Sequence, residues 1–439
     1  MLRKCTIVAS VSVLKNLILA WNCFLIFCWR QLLLRSGAVT LLFFLTSFGH
    51  PALANVLGDT FRPYVDYEVN FDDNMLRSRD NVGSAARQAL FGSSKKSDIT
   101  QRIMGGLIFE KEISRQRLTA DGNFSRTFFD RFSQFNHNAQ DIMGNWNWFL
   151  GDKFEGNMGA TYVKDLAPFL FFPGIKNMQT TKTQYFNGDW RFLHSWSLHA
   201  GYQHLTLSSD NILTKFQNRE EHMFETGFDF LATDTNKVGV RYRRIEGDFP
   251  FNPGGADNSY NQNEVKAVID WVVSGKSWVQ FSGGWVERKN PSFPSRDFNG
   301  FNARVIYIWR PTAKIATELS GWRETGPVNA INARFSLNTG VRFAPSWDIT
   351  DKIKLHGEVI YENREFNGFT NVVDQIPRST DNRILDGLFG LTYKPYTGIQ
   401  LSAVAYHEQL KIQDATLGDM AANGARITLR YTYKDYDRK

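Results

Sequence analysis

Apolar and polar side chains alternate along many short segments of this chain. In the segment 398–407, Ile399 and Leu401 share one face, whereas Gln400 and Ser402 share the other. A period of two residues predicts a β-strand, because successive side chains of a strand point to opposite faces. No segment between these strands shows the periodicity of a helix. The pattern therefore predicts an all-β protein.

The predicted strands are joined by connections that alternate in length. Connections near 151–153 and 274–276 are short, whereas 73–97 and 364–380 are long. Bacterial transmembrane β-barrels have short periplasmic turns and long outer loops. We therefore predict a single antiparallel transmembrane β-barrel of about 18 strands in the outer membrane of a Gram-negative bacterium. The strands are predicted near 61–72, 98–112, 116–128, 138–150, 154–164, 180–193, 196–208, 220–231, 237–246, 262–273, 277–287, 300–309, 314–323, 331–344, 352–363, 381–393, 398–409 and 425–434.

Two of these strands have weak patterns, which leaves a barrel of about 16 strands as the alternative. The segment 237–246 is short and carries two arginines on one face, and Ile306 and Ile308 place apolar side chains on the inner face of their strand. The clearer alternation of 331–344 places Leu337 on the side that faces lipid.

Tryptophan positions support the same topology. Membrane barrels carry aromatic girdles at both interfaces. We therefore predict a periplasmic girdle formed by the tryptophans that lie in or close to short connections, namely Trp148, Trp190, Trp196, Trp271, Trp278, Trp309 and Trp347.

The N-terminal region has the features of an export signal. An apolar segment at 37–48 is followed by Ala52-Leu53-Ala54, which matches the small-residue pattern of a signal-peptide cleavage site. We therefore predict that residues 1–54 are a signal peptide with a long N-terminal region and that residues 55–439 form the barrel. The cysteines all precede this site, at Cys5, Cys23 and Cys28, so the mature chain is predicted to contain none.

The basic charge of the chain lies mostly in this predicted leader. Residues 1–54 contain five basic residues and no acidic residue, so without them the formal charge falls from +7 to +2. Phosphate binding requires a sustained basic surface. The sequence therefore predicts no nucleic-acid partner.

The sequence contains only weak signals of catalytic chemistry. His194 and Ser195 are adjacent in a short connection, and neighbouring residues do not present a base to a nucleophile as a catalytic triad requires. The segment Glu220-Glu221-His222 could ligate a metal ion, but the sequence shows no second paired histidine. We therefore predict no enzymatic activity, no metal site and no cofactor, and a barrel hydrolase is the least favoured reading.

The inner faces of the predicted strands carry charges of both signs. Most of these charges are expected to pair across the wall. A basic stripe with flat aromatic faces could instead guide an anionic sugar polymer. The candidate residues for such a substrate track are Arg241, Arg243, Arg304, Arg334, Arg342, Tyr64, Tyr185, Trp322 and Tyr406.

The first predicted strand and its exit carry the most specific motif of the chain. Its sequence is Asp59-Thr60-Phe61-Arg62-Pro63-Tyr64, followed by Phe71-Asp72-Asp73-Asn74-Met75-Leu76-Arg77. This pattern, together with the length and strand rhythm, resembles the EpsL family, the outer-membrane barrels encoded with exopolysaccharide operons of the exosortase-associated type. The resemblance implies a role in export or assembly of an extracellular polysaccharide, and it implies no catalytic residues.

The first functional hypothesis is therefore a passive aqueous exit for a polysaccharide. Its expected partners are outer-membrane lipid, the polysaccharide and periplasmic export components. The alternative is a general diffusion porin or a surface receptor, because a barrel of this size leaves an aqueous channel unless loops fill it.

Overall fold

The computed structural model describes residues 60–433, except 171, 252–256, 293, 295–296, 328–334, 368–380 and 414–417. The predicted signal peptide, residues 1–54, lies outside the described residues and stays a prediction.

The described chain forms a closed antiparallel barrel of 18 strands. Strand β1 pairs with β2 on one side and with β18 on the other, which closes the sheet. Closure gives the backbone N–H and C=O groups of every strand a partner on both sides, as a lipid environment requires. The predicted count of 18 is confirmed, and the alternative of 16 is wrong. The strands are β1 Phe61–Asp72, β2 Asp98–Ile113, β3 Gln116–Phe129, β4 His137–Leu150, β5 Phe154–Leu166, β6 Met178–Leu193, β7 Trp196–Ser209, β8 Arg219–Leu231, β9 Lys237–Asp248, β10 Tyr260–Ser274, β11 Ser277–Lys289, β12 Phe298–Thr312, β13 Ile315–Pro327, β14 Phe335–Thr350, β15 Ile353–Asn367, β16 Asn382–Tyr396, β17 Ile399–Ile412 and β18 Met420–Thr432.

The wall separates an apolar outer face from a polar inner face. On β8, Phe224, Phe228 and Phe230 are exposed on the outside, whereas Glu225 and Asp229 face the lumen in ion pairs. The same alternation recurs around the barrel, so a belt of large apolar side chains surrounds a polar interior. A closed barrel with this polarity lies in the outer membrane.

The predicted tryptophan girdle is largely confirmed. By strand register, six of the seven tryptophans lie on the outer face near the short turns, and Trp190, Trp196, Trp309 and Trp347 are exposed there. Trp278 is the exception, because it lines a cavity at the short-turn end of the lumen. Its predicted place in the girdle is wrong, since closeness to a turn does not fix which face a side chain occupies.

The alternation on β14 gives the direction of Leu337 but not its environment. Leu337 has the outward register of Val341, yet it is 6% exposed, whereas Val341 is 45% exposed. The predicted outward direction of Leu337 is confirmed by the register, but its side chain is covered, so Val341 is the lipid-exposed residue of the two.

Within the described residues, one α-helix and two 3-10 helices, Ser133–Phe135 and Lys215–Gln217, interrupt the all-β pattern. Helix α1, Ser84–Phe91, lies in the loop between β1 and β2 and ends at Gly92, which has a φ of 74° and whose N–H donates to the Gln88 carbonyl. The expectation that no helix occurs between strands is wrong, because eight residues are too short to show a clear helical period. Within the described ranges, no helix is long and apolar enough to cross a membrane.

The alternation of short and long connections gives an orientation that labelling can test. A cysteine at Ser94 in the long loop 73–97 is expected to react with a membrane-impermeant maleimide on intact cells. A cysteine at Lys276 in the short turn between β10 and β11 is expected to react only after the outer membrane is opened. The reverse pattern of labelling would contradict the orientation.

Candidate functional site

The charged side chains of the inner wall form ion pairs with one another. Arg241 binds both carboxylate oxygens of Asp229 at 2.6 and 2.7 Å, and these two residues are 6% and 1% exposed. Arg243 lies 2.6 Å from Glu225 and 3.4 Å from Glu264. The two inward arginines of β9, Arg241 and Arg243, are therefore neutralised by carboxylates on the neighbouring strands.

A second group of pairs lines the inner face of strands β12 to β15. Arg304 lies 2.7 Å from Glu324, and Arg342 binds Glu358 at 2.6 Å. Arg342 also donates to Glu318. Four of the five arginines proposed for a substrate track thus have carboxylate partners, as the pairing hypothesis expects. Arg334 lies outside the described residues.

Each of the four proposed track aromatics lies across a glycine on the adjacent strand. A Cβ atom at Gly106 would lie 2.6 Å from the Tyr64 hydroxyl oxygen, which is closer than any normal contact. The same close approach recurs in all four pairs, and the members of each pair are direct register partners. The pairs are Tyr64 with Gly106, Tyr185 with Gly159, Trp322 with Gly340 and Tyr406 with Gly424.

The polar ends of these aromatics are also bound to the wall. Tyr64 donates to Asp121 at 3.1 Å, and the Trp322 indole N–H donates to Glu362 at 2.9 Å. An aromatic ring that covers a strand glycine shields the exposed backbone. These rings therefore lie against the wall, and each has a structural role that the sequence alone does not reveal, because strand register is needed to find the paired glycine.

The Asp-Asp-Asn motif after β1 forms a buried polar knot at the outer end of the barrel. Asp72 accepts hydrogen bonds from Arg77 at 2.8 Å and from the Tyr406 hydroxyl at 2.7 Å. Asn74 donates to the carbonyl oxygens of Ser78 and Ala421, both at 2.9 Å. These bonds fold the beginning of the long first loop back onto β17 and β18.

Arg77 is the centre of this knot. It adopts the left-handed backbone conformation, with a φ of 56°, and its Nε donates to Glu408 at 2.6 Å. Burial lowers the pKa of the Arg77 guanidinium, but the charges of Asp72 and Glu408 more than offset this effect and raise the pKa above its usual value. Arg77 therefore stays charged at any physiological pH.

Three outer loops pack together beside this knot, and we call the described residues of loops 73–97, 130–136 and 167–177 the outer lid. Side chains of all three loops join the end of β3 in one apolar cluster. Burial of such side chains stabilises the packed arrangement of the loops. The buried members are Met75, Leu76, Phe129, Phe132, Phe135 and Phe169.

The outer lid also contacts the inner wall. Leu170 of the lid packs with Ile384, Leu410, Met420 and Ala422 from strands β16, β17 and β18. By register these strand residues face the lumen, on the side of the wall opposite the lipid. The outer lid therefore occupies part of the outer mouth of the barrel.

Side chains do not fill the whole lumen at its short-turn end. A cavity of about 360 Å³ opens there, lined by six carboxylates and four basic side chains. Trp278, Asp229 and Asp189 are among the lining residues. A lining of mixed charge is suited to water and small polar solutes.

Comparison with known proteins finds solved structures of distant sequence. No protein-family model and no curated protein matches this chain. Pseudomonas aeruginosa OpdQ is 10% identical, with 85% of this chain and 98% of that chain covered and a TM-score of 0.44. Acinetobacter baumannii OccAB3 is 11% identical, with coverages of 85% and 99% and a TM-score of 0.42. The outer membrane protein OpdK from Pseudomonas aeruginosa is 10% identical, with coverages of 85% and 99% and a TM-score of 0.44. At this level of similarity, none of them indicates what passes through this barrel.

Proposed function

We propose that this protein is a passive diffusion channel for small hydrophilic solutes, with an outer mouth narrowed by the outer lid. The observation that carries the proposal is the polar inner wall, whose charges are balanced by local ion pairs. A barrel of this strand number leaves an aqueous channel. The channel requires no energy source of its own and no catalytic residue.

The mouth of the channel sets the expected size limit. Leu170 and Leu76 belong to apolar clusters that hold the outer lid together at the outer end of the barrel. A lid fixed by buried apolar contacts and by a buried ion pair between Asp72 and Arg77 narrows the entrance permanently. We therefore expect passage of small sugars and exclusion of long polymers.

The polysaccharide exit implied by the resemblance to the EpsL family is the less favoured function. A track for an anionic polymer needs cationic groups that are free to bind it, but Arg241, Arg243, Arg304 and Arg342 are held by wall carboxylates. Tyr64 is 4% exposed and offers little ring surface. The polysaccharide and the periplasmic export components stay predictions from the sequence.

Swelling of proteoliposomes in neutral sugars of increasing size tests the proposal. We expect rapid swelling with a monosaccharide, slower swelling with a disaccharide, and none with a long linear polysaccharide. Liposomes without protein are the control. Passage of the long polysaccharide would favour the export function, and no passage of the monosaccharide would contradict a diffusion channel.

A further inference from the structure

Two histidines and a glutamate converge on the outer wall where β7 and β8 pair. His204 on β7 lies directly opposite His222 on β8, and Glu220 lies two residues nearer the outer end of β8. The Nε2 atoms of His204 and His222 lie 2.8 and 3.5 Å from the same Glu220 oxygen. The three potential ligand atoms all lie within 4.8 Å of one another.

We propose that His204, His222 and Glu220 bind a divalent transition-metal ion, with Zn²⁺ as the best match. Imidazole nitrogens and a carboxylate oxygen are common Zn²⁺ ligands, and a site with three protein ligands leaves a fourth position for water. Tetrahedral coordination at the usual Zn²⁺ bond lengths places ligand atoms about 3.3–3.5 Å apart. The separation of His222 from Glu220 fits this value, and His204 needs to move by only about 0.5 Å to fit it.

The electrostatics of the cluster favour a cation between the rings. The two imidazoles are stacked, with centroids 4.6 Å apart and an interplanar angle of 1°. Two protonated rings in this arrangement would repel each other. Two neutral rings both direct Nε2 toward the same Glu220 oxygen. A divalent cation interacts favourably with both neutral ring nitrogens and with the carboxylate at the same time.

Tyr202 holds one of the rings in a suitable orientation. Its hydroxyl oxygen lies 2.9 Å from Nδ1 of His222, which leaves Nε2 directed at Glu220. A hydrogen bond to the second ring nitrogen commonly orients metal-binding histidines. Tyr202 also packs against Phe224, with ring centroids 5.0 Å apart, in the apolar belt.

The position of the cluster makes it accessible to ions from outside the cell. It lies beyond Tyr202 and Phe224, toward the long-loop end of the wall. The side chains of His204, His222 and Glu220 are 25%, 33% and 46% exposed. An ion therefore reaches the site without entering the lumen, and the site is independent of the channel function.

The sequence segment Glu220-Glu221-His222 contains two of the three proposed ligands. Glu221 is not part of it, because its side chain points inward and binds the Tyr260 hydroxyl at 3.0 Å and Arg219 at 2.9 Å. The second histidine comes from β7, and only the strand register brings His204 next to His222. The predicted absence of a metal site is therefore replaced by this proposal.

Zinc titration calorimetry of the full-length, untagged protein in detergent tests the site. We expect one Zn²⁺ per chain for the native protein, and loss of this binding in His204→Ala and in His222→Ala. Tyr202→Phe keeps the three ligands but loses the orienting hydrogen bond, so its affinity should fall by about 10-fold to 100-fold.

His407→Ala is the matched control, because His407 also faces outward near the long loops but binds Asn423 instead of a carboxylate. It should bind Zn²⁺ like the native protein. The heat-dependent gel shift of folded barrels confirms that each variant is folded. Binding that is as tight in a folded His204→Ala/His222→Ala double variant as in the native protein would overturn the proposal, as would loss of binding in His407→Ala alone.

Discussion

Replacing Asp72 with Ala is expected to release the outer lid and raise the single-channel conductance several-fold. Asp72 is 1% exposed and accepts hydrogen bonds from both Arg77 and Tyr406. Loss of the only partner of a buried charge costs about 3–5 kcal/mol. Arg77 keeps Glu408 as a partner, so we expect the smaller cost of a lost hydrogen bond to a charged group, about 1.5–3 kcal/mol. The change destabilises the packing of the lid and not the barrel, because the wall keeps the hydrogen bonds between its strands.

Asp73→Ala is the control for this prediction. Asp73 is the adjacent acid of the same motif, but its carboxylate binds the backbone and side-chain amides of Asn423 instead of Arg77. We expect its conductance to match the native value. Limited proteolysis should cleave loop 73–97 faster in Asp72→Ala than in either of the other two proteins. Equal conductance and equal cleavage in all three would show that the buried pair does not hold the lid.

The second large effect is expected at the glycines beneath the inward aromatics. Gly106→Val would force the Tyr64 ring away from the wall, because a Cβ atom at Gly106 collides with the ring. Tyr64 also stacks against Arg430, 4.6 Å from the ring centroid, and Arg430 binds Asp66. Overpacking of this kind costs about 1–3 kcal/mol, and the disturbed Arg430 adds to the loss.

The preceding residue provides a matched control. Gly105 lies on the opposite face of β2, and a Cβ atom there meets nothing within 4 Å. Gly105→Val should therefore leave stability unchanged or raise it slightly, since β-branched residues favour strands. Urea unfolding of both variants in lipid vesicles gives the comparison. A loss of stability in Gly105→Val equal to that in Gly106→Val would contradict the role of the ring contact.

The strands are predictable from the sequence because each wall face meets a different solvent. Lipid outside and water inside impose a period of two, and even the weak segment 237–246 forms strand β9, Lys237–Asp248. Ile306 and Ile308 face inward in the register of β12, as the alternation predicts. The pairing of the wall charges is also predictable, because the inner faces of the strands carry charges of both signs.

The parts that the sequence does not predict depend on contacts between distant segments. The glycine beneath Tyr406 is Gly424 on the next strand, and the histidine beside His222 is His204 on the previous strand. Alternation gives the face of each residue but not its partner across the wall. The outer lid was not predictable for a similar reason, because its apolar residues are scattered over three loops with no period.

The Asp-Asp-Asn motif after β1 is a clear sequence signal whose structural role the sequence alone does not reveal. Its residues stand out in the sequence, and the structure shows that they fix the fold of the first loop through Asp72, Asn74 and Arg77. This role depends on Glu408 and Ala421, which lie more than three hundred residues later in the chain. A local motif therefore identified the location of the lid but not its contacts.

Single-channel recording in planar lipid bilayers at graded KCl concentrations tests the passive-channel claim most directly. For the native protein we predict discrete current steps that are linear in voltage and grow in proportion to the salt concentration, as expected for a water-filled pore. A variant in which a short turn replaces loop 73–97 should give larger steps. An absence of steps in both proteins, once their folding is confirmed by the heat-dependent gel shift, would contradict a diffusion channel.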